Sequence, residues 1–173
     1  MRKRVFFGAV LAAAAFCGCS NFIMSPYFTV KDSGLNWVSI RYYQMKTTPI
    51  QRVNVRIDGN GMVSVKEGAS SLVSNDFAAK SGETSWGDIR ATNLTLSPEE
   101  VLPIFQMLVD KGLFKDRIKG KSTTTNEAIF ASANIDGKAC GSEDDIYGID
   151  PDLADHLKMV VMMFYHPQPK QRR

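Results

Sequence analysis

The sequence predicts an α+β domain: an antiparallel sheet of five or six strands with two helices packed on one face. Strand-like segments in which apolar and polar residues alternate are joined by tight turns at Asp58–Gly61 and Asp136-Gly137, as in β-hairpins. Two further segments each begin with a capping residue and a proline and carry apolar residues at helical spacing. With 44% apolar residues in a chain of 173, one core and therefore one domain are expected.

The first strands are predicted from β-branched and aromatic residues that lie between turns. Leu35 to Met45 forms the first strand. Gln51 to Ile57 and Met62 to Lys66 form a hairpin in which valines alternate with polar residues. Ile89 to Leu96 is a further strand, and a short one is expected around Phe77.

The first helix is predicted to begin at Ser97, which is a good capping residue. Pro98 suits the first helical position, Glu100 completes a capping box, and Gly112 ends the helix. Pro103 lacks a backbone N–H, so a kink is expected near the start of this helix.

The last third of the chain predicts a second hairpin followed by a second helix. The hairpin runs from Asn126 to Ile135 and from Lys138 to Gly141. The helix begins at Asp150-Pro151 and stops before Pro167. Its predicted buried stripe consists of Leu153, Leu157, Val160, Val161 and Phe164.

The first residues have the layout of a signal peptide. Basic residues 2–4 are followed by an apolar run, Val5 to Phe16, that is too short to span a bilayer. A cysteine after small residues ends this run. Cys19 follows Gly18, whereas Cys17 follows the bulky Phe16, so Cys19 is the preferred lipidation site and Cys17 the alternative. An ordinary secretory signal or an uncleaved anchor are the other interpretations.

This arrangement resembles small bacterial lipoproteins that carry a lipobox signal peptide and a domain of unknown function. The resemblance implies cleavage before Cys19, a diacylglycerol on its thiol and an acylated N-terminus. Labelling of the protein with palmitate would detect these acyl chains. Ser20, where an aspartate would favour inner-membrane retention, implies an outer-membrane position facing the periplasm. The predicted organisation is a signal peptide at 1–18, a lipid anchor and tether at 19–34, the domain at 35–166 and a disordered basic tail at 167–173.

The charge of the chain gives no indication of nucleic-acid binding. The net charge of +3 disappears when the three basic residues of the signal are removed. If Cys17 leaves with the signal and Cys19 is acylated, Cys140 has no partner for an internal disulfide. Cys140, between Ala139 and Gly141, is expected to be buried on a close-packed strand.

Two acidic segments are weak candidates for a metal site. Asp58 and Asn60 lie at spacings similar to a calcium loop, but Arg56 would be the first ligand, so a hairpin turn is the better interpretation. Glu143, Asp144 and Asp145 are adjacent in sequence, and adjacent carboxylates point in different directions, so a solvated loop is expected there.

No catalytic constellation or cofactor motif is recognised. His156 is expected to make ordinary helix-surface contacts with Asp152 one turn earlier. The leading hypothesis is a non-catalytic, lipid-anchored binding or scaffolding module. It would bind an envelope protein or a cell-wall polymer through the open face of the sheet or the basic loop Lys115 to Thr125. The alternatives are a metal-dependent enzyme or sensor built on Asp58, residues 143–145 and His156, and a small-ligand carrier.

Overall fold

The computed structural model describes residues 28–70, 86–115, 126–142 and 145–165. These residues form one antiparallel sheet of six strands, in the order β4-β3-β2-β1-β5-β6, and two α-helices. The predicted α+β fold is therefore confirmed. The short strand predicted around Phe77, the signal peptide, Cys19 and the basic tail lie outside the described residues.

The elements follow the predicted order along the chain. The strands and helices are β1 (Trp37–Gln44), β2 (Gln51–Asp58), β3 (Met62–Ser70), β4 (Trp86–Thr95), α1 (Pro98–Asp110), β5 (Glu127–Ile135), β6 (Lys138–Gly141) and α2 (Pro151–Phe164). A short 3₁₀ turn, Ile146–Gly148, precedes α2. Within the described residues, neither helix has the length and apolar composition needed to cross a bilayer.

The main core lies between the sheet and the two helices. On β2, the buried residues Val53, Val55 and Ile57 alternate with polar residues that point to the other face. The helices bury their apolar stripes against the same cluster, α1 through Phe105 and Leu108 among others. Burial of side chains of this size stabilises the fold by roughly 1.5–3 kcal/mol each. The predicted packing of both helices on one face follows from this single cluster.

The turns and caps have the conformations that their residues favour. Asp136 and Gly137 both have positive φ, 51° and 78°, as a two-residue hairpin turn of type I′ requires. The Glu100 carboxylate accepts a hydrogen bond from the Ser97 N–H at 2.8 Å, which caps α1. Gly112, with φ of 85°, follows the end of α1, and the helix continues through Pro103.

Residues 28–36, called the strap here, pack against the body before β1 begins. Val30 is 2% exposed, and its N–H donates to Gln106 Oε1 of α1 at 2.9 Å. Gln106 Nε2 in turn donates to the Phe28 carbonyl at 3.0 Å. Asn36 is also buried, and its Oδ1 accepts from the Asp136 N–H at 2.8 Å. The tether was predicted to extend to residue 34, but the packed body already includes Phe28.

A close approach between backbones fixes the strap to the turn between β2 and β3. The Gly59 N–H donates to the Asn36 carbonyl at 2.6 Å. A Cβ atom at Gly59 would lie 1.9 Å from the Ser33 carbonyl oxygen, so only glycine fits at this position.

Candidate binding face

The turn Asp58–Gly61 contains two of the predicted metal candidates, and their oxygens are engaged in the hairpin. Asp58 Oδ1 accepts from Arg56 Nε at 3.0 Å and lies 2.8 Å from Arg56 Nη2. Asn60 Oδ1 accepts from the Met62 N–H at 3.0 Å. The preferred interpretation as a hairpin turn agrees with this geometry.

The Asp145 carboxylate is a buried acceptor for backbone groups. Asp145 is 4% exposed, and its Oδ1 accepts from the N–H of Ile129 at 3.0 Å and of Tyr147 at 3.1 Å. The interpretation of this residue as part of a solvated loop is therefore wrong, because its carboxylate anchors the 3₁₀ turn to β5. Glu143 and Asp144 lie outside the described residues.

The described members of the predicted acidic site do not converge. Asp58 is paired with Trp37 at the start of β1, whereas Asp145 binds Ile129, which is paired with Tyr42 near the end of β1. Five strand positions separate these two points, about 17 Å at strand spacing. Among the described residues, no three His, Cys, Asp or Glu side chains form a group that could hold a metal ion.

The structure places His156 and Lys111 beside Asp152 of α2 and places Cys140 on the edge strand β6. His156 Nδ1 lies 2.7 Å from the Asp152 carbonyl oxygen one turn earlier, as expected on a helix surface. Lys111 Nζ lies 3.7 Å from Asp152 Oδ2. Cys140 is half-buried on the edge strand β6, where Gly141 is exposed and has open space around it. Cys140 packs against the main core, so the expected burial is found in part, whereas its neighbours Ala139 and Gly141 are exposed.

A polar cluster around Glu127, which sequence reasoning missed, joins the start of β5 to α2. Glu127 Oε1 accepts from Tyr42 Oη at 2.8 Å. Glu127 Oε2 accepts from Tyr147 Oη at 3.3 Å and from Lys158 Nζ at 2.6 Å. These residues are far apart in sequence, and only the fold brings them together.

The Glu127 cluster shifts the ionisation of its members. Burial alone would raise the pKa of Glu127, but the hydrogen bonds from Lys158 and Tyr42, together with the positive charge of Lys158, lower this pKa below its usual value. Burial, and then the hydrogen bond to the Glu127 carboxylate, raises the pKa of Tyr42 well above its usual value. The carboxylate is thus held ionised between neutral phenols and an ammonium group, an arrangement that stabilises the fold.

The face of the sheet opposite the helices carries four cations around Asn54, and this group is called the Asn54 ring here. Arg52 and Arg56 lie two positions before and after Asn54 on β2, and therefore on the same face. Arg41 of β1 and Lys66 of β3 are the residues directly opposite Asn54 on the two neighbouring strands. Residues opposite each other have Cβ atoms about 5 Å apart, and residues two positions along a strand are about 7 Å apart.

Each arginine of the Asn54 ring lies over an aromatic side chain. The guanidinium carbon lies 4.7 Å from the ring centroid for Arg56 over Trp37, 5.3 Å for Arg41 over Phe130 and 5.4 Å for Arg52 over Tyr43. Stacking of this kind is worth about 0.5–1 kcal/mol at exposed sites and fixes the plane of the guanidinium. The donor groups of the arginines are therefore held in defined orientations.

The cations of the ring differ in their access to solvent. The Arg56 side chain is 46% exposed, Lys66 is exposed and Arg41 is half-buried, whereas Arg52 is 4% exposed. Among the described side chains of β1, β2 and β3, Asp58 is the one carboxylate on this face, and it is paired with Arg56. The described side chains of β1, β2 and β3 on this face thus include four cations and one carboxylate.

No protein-family model matches this chain, and no curated protein matches it.

Proposed function

We propose that this protein is a lipid-anchored protein of the cell envelope, acylated at Cys19 and facing the periplasm from the outer membrane. In this proposal it is a non-catalytic binding module, and the face that carries the Asn54 ring is its binding surface. The observation that carries the proposal is the ring itself, in which four cations from three strands lie around Asn54. Such a group of cations is complementary to an anionic partner.

The strap supports the proposed anchoring. Phe28 packs against the core and lies nine positions after Cys19. A fully extended chain of nine residues spans at most about 30 Å. Acyl chains on Cys19 would therefore hold the body close to the bilayer surface, with two or three chains giving a stable anchor.

The anchor is tested by replacing the acylated residue in the full-length chain. We expect Cys19→Ser to abolish palmitate labelling and to move the protein from the membrane fraction to the soluble fraction. Cys17→Ser is the matched control and should leave both unchanged. Labelling that persists in Cys19→Ser but is lost in Cys17→Ser would move the anchor to the other cysteine. A wild-type protein without label would contradict the anchoring.

The binding surface is tested by crosslinking in intact cell envelopes. The wild-type chain and Lys111→Gln, a change on the helix side of the molecule, should give the same crosslinked species. The double variant Arg56→Gln/Lys66→Gln should lose them, because it removes the two most accessible cations of the ring. Equal yields from the wild type and the double variant would contradict the assignment of this face.

A further inference from the structure

We infer that the Asn54 ring binds an acidic glycan of the cell wall, with carboxylate groups on Arg56 and Lys66 and a sugar ring beside Trp37. This inference rests on the proposed function and names the ligand class of the same face. The linear sequence marks the site only in part, because its four cations come from three strands and the register of β1 is not set by a tight turn.

The ring is suited to carboxylates by its chemistry. Arg56 is stacked on Trp37, and Asp58 Oδ1 lies within contact distance of its Nε and Nη2. Stacking and pairing together fix the plane of the guanidinium, so its remaining N–H groups present a fixed fork to an incoming carboxylate. Lys66 adds a compact charge on the neighbouring strand, two positions diagonal to Arg56.

The shape of the site favours an extended polymer over a small ion. Pockets for small ligands are concave and bury most of the ligand. The Asn54 ring instead lies on the surface of a pleated sheet and extends over β1, β2 and β3. A chain of sugars that carries repeated carboxylates could contact the accessible Arg56 and Lys66 at once, and one contact would raise the effective concentration at the other.

The placement of aromatic residues favours a glycan over a lipid surface. Insertion into a bilayer needs exposed apolar side chains, but Tyr43 and Phe130 of this face are each 2% exposed. Trp37 is half-buried and lies next to the exposed Arg56, so an apolar sugar face and an acidic group could be bound side by side.

The test measures co-sedimentation of the purified full-length chain in detergent with peptidoglycan sacculi that have been freed of lipid and nucleic acid. We expect Lys66→Gln to weaken binding roughly tenfold, as loss of one charge-assisted contact predicts. Lys111→Gln has the same net charge and should bind within about twofold of the wild type. Raising NaCl from about 0.1 M to about 1 M should also weaken binding, because the Debye length falls from ~10 Å to ~3 Å.

A second arm uses vesicles of phosphatidylglycerol and phosphatidylethanolamine with the chain in which Cys19 is replaced by serine, so that acyl chains do not contribute. Flotation with these vesicles that is lost in Lys66→Gln would assign the ring to lipid headgroups and overturn the inference. Failure to bind sacculi, or equal binding by Lys66→Gln and Lys111→Gln, would overturn it as well.

Two controls separate the possible failures. Lys66→Arg keeps the charge and should retain binding, whereas Lys66→Gln should weaken binding without losing stability, because the Lys66 side chain is exposed. If the chain proves not to be acylated but still binds sacculi through the ring, the anchor is refuted and the glycan inference stands. If it is acylated and sacculi do not bind, the glycan inference alone is refuted.

Discussion

Replacement of Gly59 by alanine should release the strap from the body. The new Cβ would lie 1.9 Å from the Ser33 carbonyl oxygen, and real Cβ atoms are not found closer than 3.0 Å to such atoms. The obstacle is backbone, which cannot rotate out of the way as a flexible side chain could. The strap must therefore move by more than 1 Å at Ser33.

The cost of this movement follows from the contacts that it breaks. The hydrogen bond from the Gly59 N–H to the Asn36 carbonyl, 2.6 Å long, contributes about 1 kcal/mol. Asn36 is 3% exposed, and its side chain bonds the Lys31 carbonyl and the Asp136 N–H. Leaving such a buried amide unsatisfied costs about 1–3 kcal/mol. We expect Gly59→Ala to lower the free energy of unfolding by about 2–4 kcal/mol.

Urea denaturation of the full-length chain measures this loss, and hydrogen exchange locates it. The Val30 and Lys31 amides, which donate to Gln106 and Asp136, should exchange faster in Gly59→Ala while the centre of the sheet stays protected. Gly34→Ala is the matched control. Its Cβ would meet nothing within 4 Å, so its stability should be unchanged or higher by up to about 1 kcal/mol. Equal free energies of unfolding for the two variants would refute the close approach.

Three further predictions concern the buried polar groups. The lowered pKa of Glu127 contributes stability above the ordinary pKa of a glutamate, and this contribution is lost as the pH falls through the lowered pKa of the folded chain. Glu127→Gln lacks this contribution. Denaturant titrations should therefore show a smaller loss of stability for Glu127→Gln than for the wild type between about pH 6 and pH 3. The raised pKa of Tyr42 contributes stability that is lost as the pH rises above about 10, and Tyr42→Phe should flatten that alkaline limb. Asp145→Ala should cost about 2–4 kcal/mol by leaving two backbone N–H groups unpaired, whereas Asp145→Asn, which keeps an acceptor, should cost less than half of that.

Each of these predictions has an outcome that would contradict it. Parallel pH profiles for Glu127→Gln and the wild type would mean that the carboxylate has the same pKa in the folded and unfolded chains. An unchanged alkaline limb in Tyr42→Phe would contradict its role in the cluster. EDTA should leave the unfolding free energy of the wild type unchanged, and a loss as large as that in Asp145→Ala would instead identify Asp145 as a metal ligand.

The local elements were predictable because their signals are local. Asp136-Gly137 predicted a tight turn because these residues tolerate positive φ, and both adopt it. Ser97 and Glu100 predicted the start of α1 because they can satisfy backbone groups within one turn. Alternation along β2 likewise predicted that Val53, Val55 and Ile57 would face the core.

The strand order and the strap were not predictable from such signals. Nothing in the pattern of β1 shows that it pairs with β5 as well as with β2. Val30 and Phe28 are too few apolar residues to establish a periodicity, and yet Val30 is buried beside α1. Asp145 lies in a run of acidic residues that suggests solvent exposure, and its burial depends on backbone donors from β5.

The candidate site was predictable only in part. The outward positions of Arg52 and Arg56 follow from the alternation on β2, and the tight hairpin sets Lys66 opposite Asn54. Arg41 could not be added, because the register of β1 depends on a longer loop. The Glu127 cluster was missed for the same reason, since Lys158 and Tyr42 approach it from different parts of the chain.

The central position of β1 has a consequence for biosynthesis. The strand made first occupies the middle of the sheet, and its second neighbour, β5, follows roughly 90 residues later, a long loop to close during folding. A nascent chain that has emerged only as far as α1 therefore has β1 at an unfilled edge. The second edge of β1 is paired only when β5 is available. A polypeptide that emerges from its N-terminus therefore lacks its native core until most of the chain has emerged.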